Sequence, residues 1–308
     1  MTEPRETPDI VVVGAACRDV TDDDPRGWRL GGGVSYSSLT AARLGLRVGA
    51  LIGVDAVAAD ASELDLLRDS GVEVRTVPLT HGPVFMNLER PEGRLQICHQ
   101  RSDPLPVTAV PPAWRDAMGW ILAPVAAELP EAWADVPPGD AVVALGWQGL
   151  LRELEPGAPV RHIAPRPDPV LGRADLVGLS RDDVDRQAPL VDLYRLLRPG
   201  ATLALTQGDR GGLIADRLVG DELHLRHYPT ISSASIVDPT GAGDVFLAAL
   251  TAVHVEPRLV GGRIGQGMDL LLAAAAASLV LEGPGLHGVP SRDAVRARLT
   301  SARRRAVG

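Results

Sequence analysis

Hydrophobic residues along this chain fall mainly in short continuous runs. Asp9-Ile10-Val11-Val12-Val13-Gly14 is the first, and a run of this kind closed by glycine predicts a strand buried on both faces of a parallel sheet. Similar runs predict strands at Val48–Ile52, Val72–Val77, Gly119–Leu122, Ala141–Leu145, Ala174–Gly178 and Thr202–Thr206. Between them, helices are predicted from Leu39 to Gly45, from Glu63 to Ser70 before Gly71, from Arg181 to Arg186, and over Leu270–Leu281. Two segments alternate instead, Val84–Glu89 and Arg94–Cys98, and Arg90-Pro91-Glu92-Gly93 joins them as a hairpin. Strands separated by helical stretches imply a three-layer α/β/α domain spanning 1–308, with a mostly parallel central sheet and the hairpin set apart. The Arg-rich tail Ser301–Gly308 is expected to fray.

One stretch breaks this rhythm. Val237-Asp238-Pro239-Thr240-Gly241-Ala242-Gly243-Asp244-Val245-Phe246 lies between the β-branched run Ile231–Val237 and the Leu- and Ala-rich segment Phe246–Val253. It reads as a strand or loop entering a helix through a glycine turn. The N–H groups of Gly241, Ala242 and Gly243 would point out of that helix's N-terminus, a ready anion site. Asp244 is the odd member, because a carboxylate repels a bound anion. Its place suits a base that deprotonates a hydroxyl attacking a held phosphate, as phosphoryl transfer requires. The plainer alternative is a helix-capping aspartate.

Composition narrows the chemistry. At 308 residues and 45% hydrophobic, the chain has no apolar run of membrane-spanning length, and Met1–Asp9 carries no apolar signal core, so a cytoplasmic protein without membrane partners is expected. Two cysteines, Cys17 and Cys98, make no disulfide framework. A net charge of −8 argues against nucleic-acid partners. All 31 basic residues are arginine. Without lysine there is neither a P-loop nor a protein-kinase site, so phosphate chemistry here must rely on backbone N–H groups, arginine and metal.

The complete D-P-T-G-A-G-D string resembles the second signature of the ribokinase-like (PfkB) family of small-molecule kinases, usually D-T-x-G-A-G-D. Gly31-Gly32-Gly33-Val34-Ser35-Tyr36 resembles the family's first signature, with Tyr36 where the family often has Asn. The resemblance implies a ribokinase-like fold with a small β-sheet lid, from about 20–32 and 82–101, and an ATP-dependent transfer to a sugar or cyclitol hydroxyl. Asp244 would be the base, and Gly241, Ala242 and Gly243 the anion hole. Asp19, Gly31, Gly32, Tyr36 and Gln148 would meet substrate. Thr206, Gly208, Arg210, Gly211 and Gly243 would hold nucleotide, with Leu270–Leu281 walling the adenine pocket. The Gln148-Gly-x-x-Arg152 string is similar to a branch that includes myo-inositol kinases; a helix start with a solvent-facing Arg152 is the equal alternative. Where the family carries N-x-x-E near Mg²⁺, this chain has Ser180-Arg181-Asp182-Asp183, so Asp183 would act on Mg²⁺ through water. Asp238 and Thr240 match part of a monovalent-cation site that would take K⁺, and the lid edges offer a route to a homodimer. Two other readings stay open, a nucleoside kinase of the same family and a non-catalytic ligand-binding relative.

Overall fold

The computed structural model describes residues 7–307 apart from 91–92, 186, 219–221, 263 and 265–266. The strands in chain order begin with β1 (Ile10–Ala15), β2 (Arg18–Val20), β3 (Trp28–Leu30), β4 (Val48–Val54), β5 (Glu73–Pro78), β6 (Val84–Arg90), β7 (Gly93–Gln100) and β8 (Gly119–Leu122). They continue with β9 (Val142–Gly146), β10 (Arg152–Glu153), β11 (Ala158–Pro159), β12 (Arg161–His162), β13 (Leu176–Ser180), β14 (Thr202–Thr206), β15 (Gly212–Arg217) and β16 (Leu223–Tyr228). The helices are α1 (Gly33–Arg43), α2 (Ser62–Asp69), α3 (Pro169–Arg173), α4 (Leu190–Tyr194), α5 (Ala242–Val255), α6 (Met268–Val280) and α7 (Arg292–Val307).

Nine strands form the central sheet in the order β16-β15-β14-β13-β9-β8-β1-β4-β5. The seven from β14 to β5 run parallel, while β15 and β16 add an antiparallel edge. Strand alternation divides β1 between two cores: Ile10 and Val12 face one layer, Val11, Val13 and Ala15 the other. The first layer takes residues of α1, α5 and α6, where alanine-rich faces permit close approach. The second has few helices, and Trp114, Trp120, Trp133 and Trp147 fill it. From β1 the chain passes to β4 and β5 on one side and later to β8 and β9 on the other, so a topological switch point opens beyond the carboxyl ends of β1 and β8.

A separate five-stranded sheet has the order β11-β7-β6-β2-β3. Its strand β2 continues directly from β1 and contains Asp19, and β11 comes from a segment that the hydrophobic pattern does not mark. The turn residues Pro91 and Glu92 of the expected hairpin lie outside the described residues. Two ion pairs tie this sheet to the body. Arg18 Nη2 meets Asp55 at 2.7 Å, and Arg26 grips Glu63 with both terminal nitrogens, at 2.9 and 2.7 Å. Glu63 also accepts from the Leu30 amide, and Arg26 lies 4.6 Å over the Trp28 ring.

Several expectations need correction. Helix α1 begins at Gly33, well before Leu39; its polar residues Ser35, Ser38 and Thr40 can be buried because their hydroxyls donate back to the carbonyls of Gly31, Val34 and Tyr36. The helix expected at Arg181–Arg186 is a single 3-10 turn over Arg181–Asp183, closed by reciprocal Ser180–Asp183 capping and followed by extended Val184. Arg186 lies outside the described residues. The strand placed at Ala174–Gly178 sits two residues later, at Leu176–Ser180. The Arg-rich tail continues α7 to Val307. The run 231–237 is a loop.

Candidate active site

The site is built where the switch point meets the N-terminus of α5. Gly241 caps that helix in the left-handed conformation (φ 80°), a backbone state that glycine adopts without penalty. A methyl group there would lie 2.4 Å from the Tyr36 ring, so the turn rests directly on α1. The N–H groups of the first helical turn, from Ala242 and Gly243, have no intrahelical acceptors by construction and, with the helix dipole, face the cleft as an anion site. Asp238 braces the turn from behind: Oδ1 accepts the Thr240 amide at 2.9 Å and Oδ2 the Gly285 amide at 3.0 Å.

Asp244 extends from this helix toward the start of α1, where a methyl group on Gly33 would sit 2.7 Å from its Oδ1. Asp19 does the same one step earlier, its Oδ2 lying against Gly31 and 3.4 Å from Cys17 Sγ. The glycine triplet thus lets two carboxylates approach bare backbone. Asp244 is half-buried, and desolvation, reinforced by the charge of Asp183 and opposed by Arg152, pushes its pKa up to about 7. A carboxylate poised near neutrality suits a general base.

The 3-10 turns that follow the neighbouring strands β9 and β13 contribute Gln148 and Asp183. Gln148 Nε2 donates to Asp183 Oδ1 at 2.8 Å, while the Ser180 amide donates to Oδ2 at 3.1 Å. Gln148 therefore stands behind Asp183 as its partner. Arg152, left open between cleft and solvent by the sequence, is half-buried, within electrostatic reach of Asp183, Asp19 and Asp244. Pattern reading could not decide this, because the 3-10 turn Trp147–Leu151 that carries it inward has no periodic signature. Glu128 is a further buried participant. It accepts from the amides of Ala15, Val125 and Ala126, fixing the end of β1 against the 125–128 loop. Its sole sequence signal is a charged residue among alanines and prolines.

The loop expected to hold the donor follows β14, the strand next to β13. Thr206 closes β14, and Gly208–Arg210 forms a 3-10 turn ended by Gly211 (φ 79°). Arg181, Asp182, Gln207, Gly208, Asp209 and Arg210 line a cleft of about 530 Å³. Tyr36 is buried under the anion-hole turn, with its ring against Gly241 and its hydroxyl toward Gly285.

Among the described residues no group of three or more His, Cys, Asp or Glu side chains is arranged to hold a metal. Both Asp183 oxygens are engaged by protein donors, as are both Asp238 oxygens. These residues do not fit a directly ligated metal ion. Among the described residues no helix is long and apolar enough to cross a membrane.

A glycine-turned helix N-terminus, a poised aspartate and a second sheet beside a doubly wound core define a ribokinase-like α/β fold. The model of pfkB family carbohydrate kinases matches residues 177–292, which include the Gly241–Asp244 turn and the Thr206–Gly211 loop, so the resemblance read from the sequence is met. No curated protein sequence matches the chain. Among solved structures, the chain is similar to a pyrophosphate-dependent kinase of the ribokinase family complexed with a pyrophosphate analog and myo-inositol (TM-score 0.71, 20% identity, covering 94% of this chain and 99% of that one). It is also similar to the Methanocaldococcus jannaschii nucleoside kinase (TM-score 0.66, 16% identity, 96% and 99% covered). Arabidopsis thaliana ribokinase, complexed with ribose and ATP, gives a TM-score of 0.63 at 18% identity, with 95% and 99% covered.

Proposed function

We propose that this protein is an ATP-dependent kinase that transfers the γ-phosphoryl group to a hydroxyl of a sugar or cyclitol, myo-inositol-like polyols included. The observation that carries this reading is Asp244: a carboxylate raised to about 7, on the first turn of α5 and against the glycine triplet that also receives Asp19. The acceptor lies between Asp19 and Asp244. Asp244 takes the hydroxyl proton, the oxygen lone pair attacks the γ-phosphorus, and the bond to the leaving diphosphate breaks. The Gly241–Gly243 amides hold the charge on the moving group. Gly31 and Gly32 line the acceptor, while Thr206, Gly208, Arg210 and Gly211 hold the donor phosphates. Mg²⁺ would be held chiefly by the donor phosphates and would neutralise their charge, since among the described residues no group of three or more His, Cys, Asp or Glu side chains could hold it. A K⁺ dependence would act beside Asp238 and Thr240 without direct ligation by the Asp238 carboxylate, whose oxygens accept the Thr240 and Gly285 amides, and exchanging K⁺ for Na⁺ or choline tests it. The small sheet serves as the lid, within one domain spanning the chain.

A second reading of the donor has its own support. The donor cleft is lined by Arg181 and Arg210 with no aromatic side chain among its lining residues, which suits an inorganic polyphosphate as well as a nucleotide, and one neighbour is described as pyrophosphate-dependent. The test is phosphoryl transfer from ATP and from pyrophosphate across pentoses, hexoses, myo-inositol and nucleosides, with Asp244→Asn as blank. Turnover on a polyol that the variant loses supports the reading. Turnover on nucleosides alone, or ligand binding without turnover, overturns it.

A further inference from the structure

Arg152 is a half-buried cation within electrostatic reach of Asp183, Asp19 and Asp244. Its Nε is sealed from solvent and makes no hydrogen bond, and Nη1 donates to the Val125 carbonyl at 3.2 Å. The guanidinium carbon lies 5.6 Å from the centre of the buried Phe85 ring. Three carboxylates, Asp183, Asp19 and Asp244, are within electrostatic reach, yet its hydrogen bond goes to a neutral carbonyl. A guanidinium normally secures burial through a bidentate carboxylate pair, as Arg26 does with Glu63. Burying its Nε without any such partner carries a desolvation cost. The backbone that holds it is itself fixed, since Glu128 accepts from the amides of Val125 and Ala126.

We propose that Arg152 is a catalytic residue of the acceptor site, donating to the acceptor oxygen that Asp244 deprotonates and stabilising the negative charge that develops there. This rests on the kinase reading above. The proton passes from the hydroxyl to the Asp244 carboxylate. The oxygen pair forms the new bond to phosphorus, and the bond to the donor's leaving phosphate breaks with its electrons. Arg152 supplies charge only where the alkoxide forms, which raises kcat more than it tightens donor binding. Its second effect falls on Asp244, which faces Asp183, Arg152, Cys17 and Tyr36. Loss of the one cation in that set moves the base's titration upward.

The test uses the full chain with Arg152→Gln, Arg152→Lys and Arg152→Ala, measuring acceptor and donor kinetics, the pH profile of kcat and Tm. Arg152→Gln is expected to lose about 100-fold or more in kcat/KM for the acceptor, with donor KM within about 2-fold. Its acid limb is expected at higher pH and its Tm equal to or above wild type. Millimolar guanidinium is expected to restore part of the Arg152→Ala activity. Unchanged kinetics in Arg152→Gln overturn the proposal, as does a loss that tracks a fall in Tm and resists guanidinium. If Arg152→Ala does not fold, Arg152→Lys carries the test, since it keeps the charge but not the planar fork: activity near wild type at normal Tm overturns the proposal. A wild-type chain silent on every acceptor overturns both this and the kinase reading; an active one with an indifferent Arg152 overturns this alone.

Discussion

The two halves of the proposed site are built differently. At the acceptor end, Asp19 and Asp244 press against bare glycine backbone, Asp183 is locked by Gln148 and Ser180, and solvent is scarce enough to raise Asp244 to about 7. At the proposed donor end, Gly208, Asp209 and Arg210 are exposed, and the lining comes from two short turns, Arg181–Asp182 and Gln207–Arg210. The contrast separates a site that tunes one proton from a site that holds mobile negative charge by number of donors. Substitutions at the acceptor end should therefore change kcat and its pH dependence, and those at the donor end should change KM.

Asp244→Asn is the most severe test. It removes the base, and kcat is expected to fall by about 10³-fold, within the range for general base catalysis, with donor binding retained in a thermal-shift titration. The same variant checks the electrostatics. Because the folded pKa of Asp244 lies above its ordinary 3.8, its contribution to stability is complete below about pH 4 and is lost as pH rises through about 7. Wild type minus Asp244→Asn should show that loss as a Tm difference that widens across this window and is flat above it.

Gly241→Ala comes next. A side chain in the left-handed region there meets the Tyr36 ring at 2.4 Å, and both effects act on the anion hole. A loss of about 1–3 kcal/mol in unfolding free energy is expected by denaturant titration, with kcat reduced even where the protein remains folded. Asp183→Asn should be milder and opposite in sign to the loss of Arg152. It removes the negative neighbour that raises Asp244, so the acid limb of kcat moves down by about one pH unit. An unmoved limb would mean that desolvation alone sets the base.

How much of this was legible depended on whether the signal was local. Continuous runs gave β1, β4, β8 and β14 nearly to the residue, because strands buried on both faces leave no polar positions to mislead. The D-P-T-G-A-G-D turn was equally plain, since anion hole and base are adjacent in sequence. Helix α1 was hidden in part because Ser35, Ser38 and Thr40 satisfy their hydroxyls internally and so spoil the apolar pattern. Arg181–Asp183 read as a helix because its cap is genuine, though only one turn follows it. Gln148, Arg152 and Glu128 could not be ranked from spacing. Their roles arise from long-range meetings: Glu128 with Ala15 is a separation of 113 residues, and Gln148 with Asp183 one of 35.

The smallest expected effect tests the other half of the contrast. Arg210 is exposed on the donor turn beside Asp209, and nothing desolvates it. A charge in that setting interacts through water and salt, where a single contact is worth about 1 kcal/mol or less. Arg210→Ala should therefore raise donor KM by about 3- to 5-fold, leave acceptor KM and the acid limb of kcat unchanged, and lose its effect as ionic strength rises. Comparing that shift for ATP and for pyrophosphate sharpens the donor reading as well. A donor held by its phosphates alone should feel the loss of Arg210 more than one that also places a base and a sugar on the protein. Equal shifts would mean that whatever lies beyond the phosphates contributes little. A change in the pH limb would mean that the two ends are electrostatically coupled, and the division of labour drawn between them would fail.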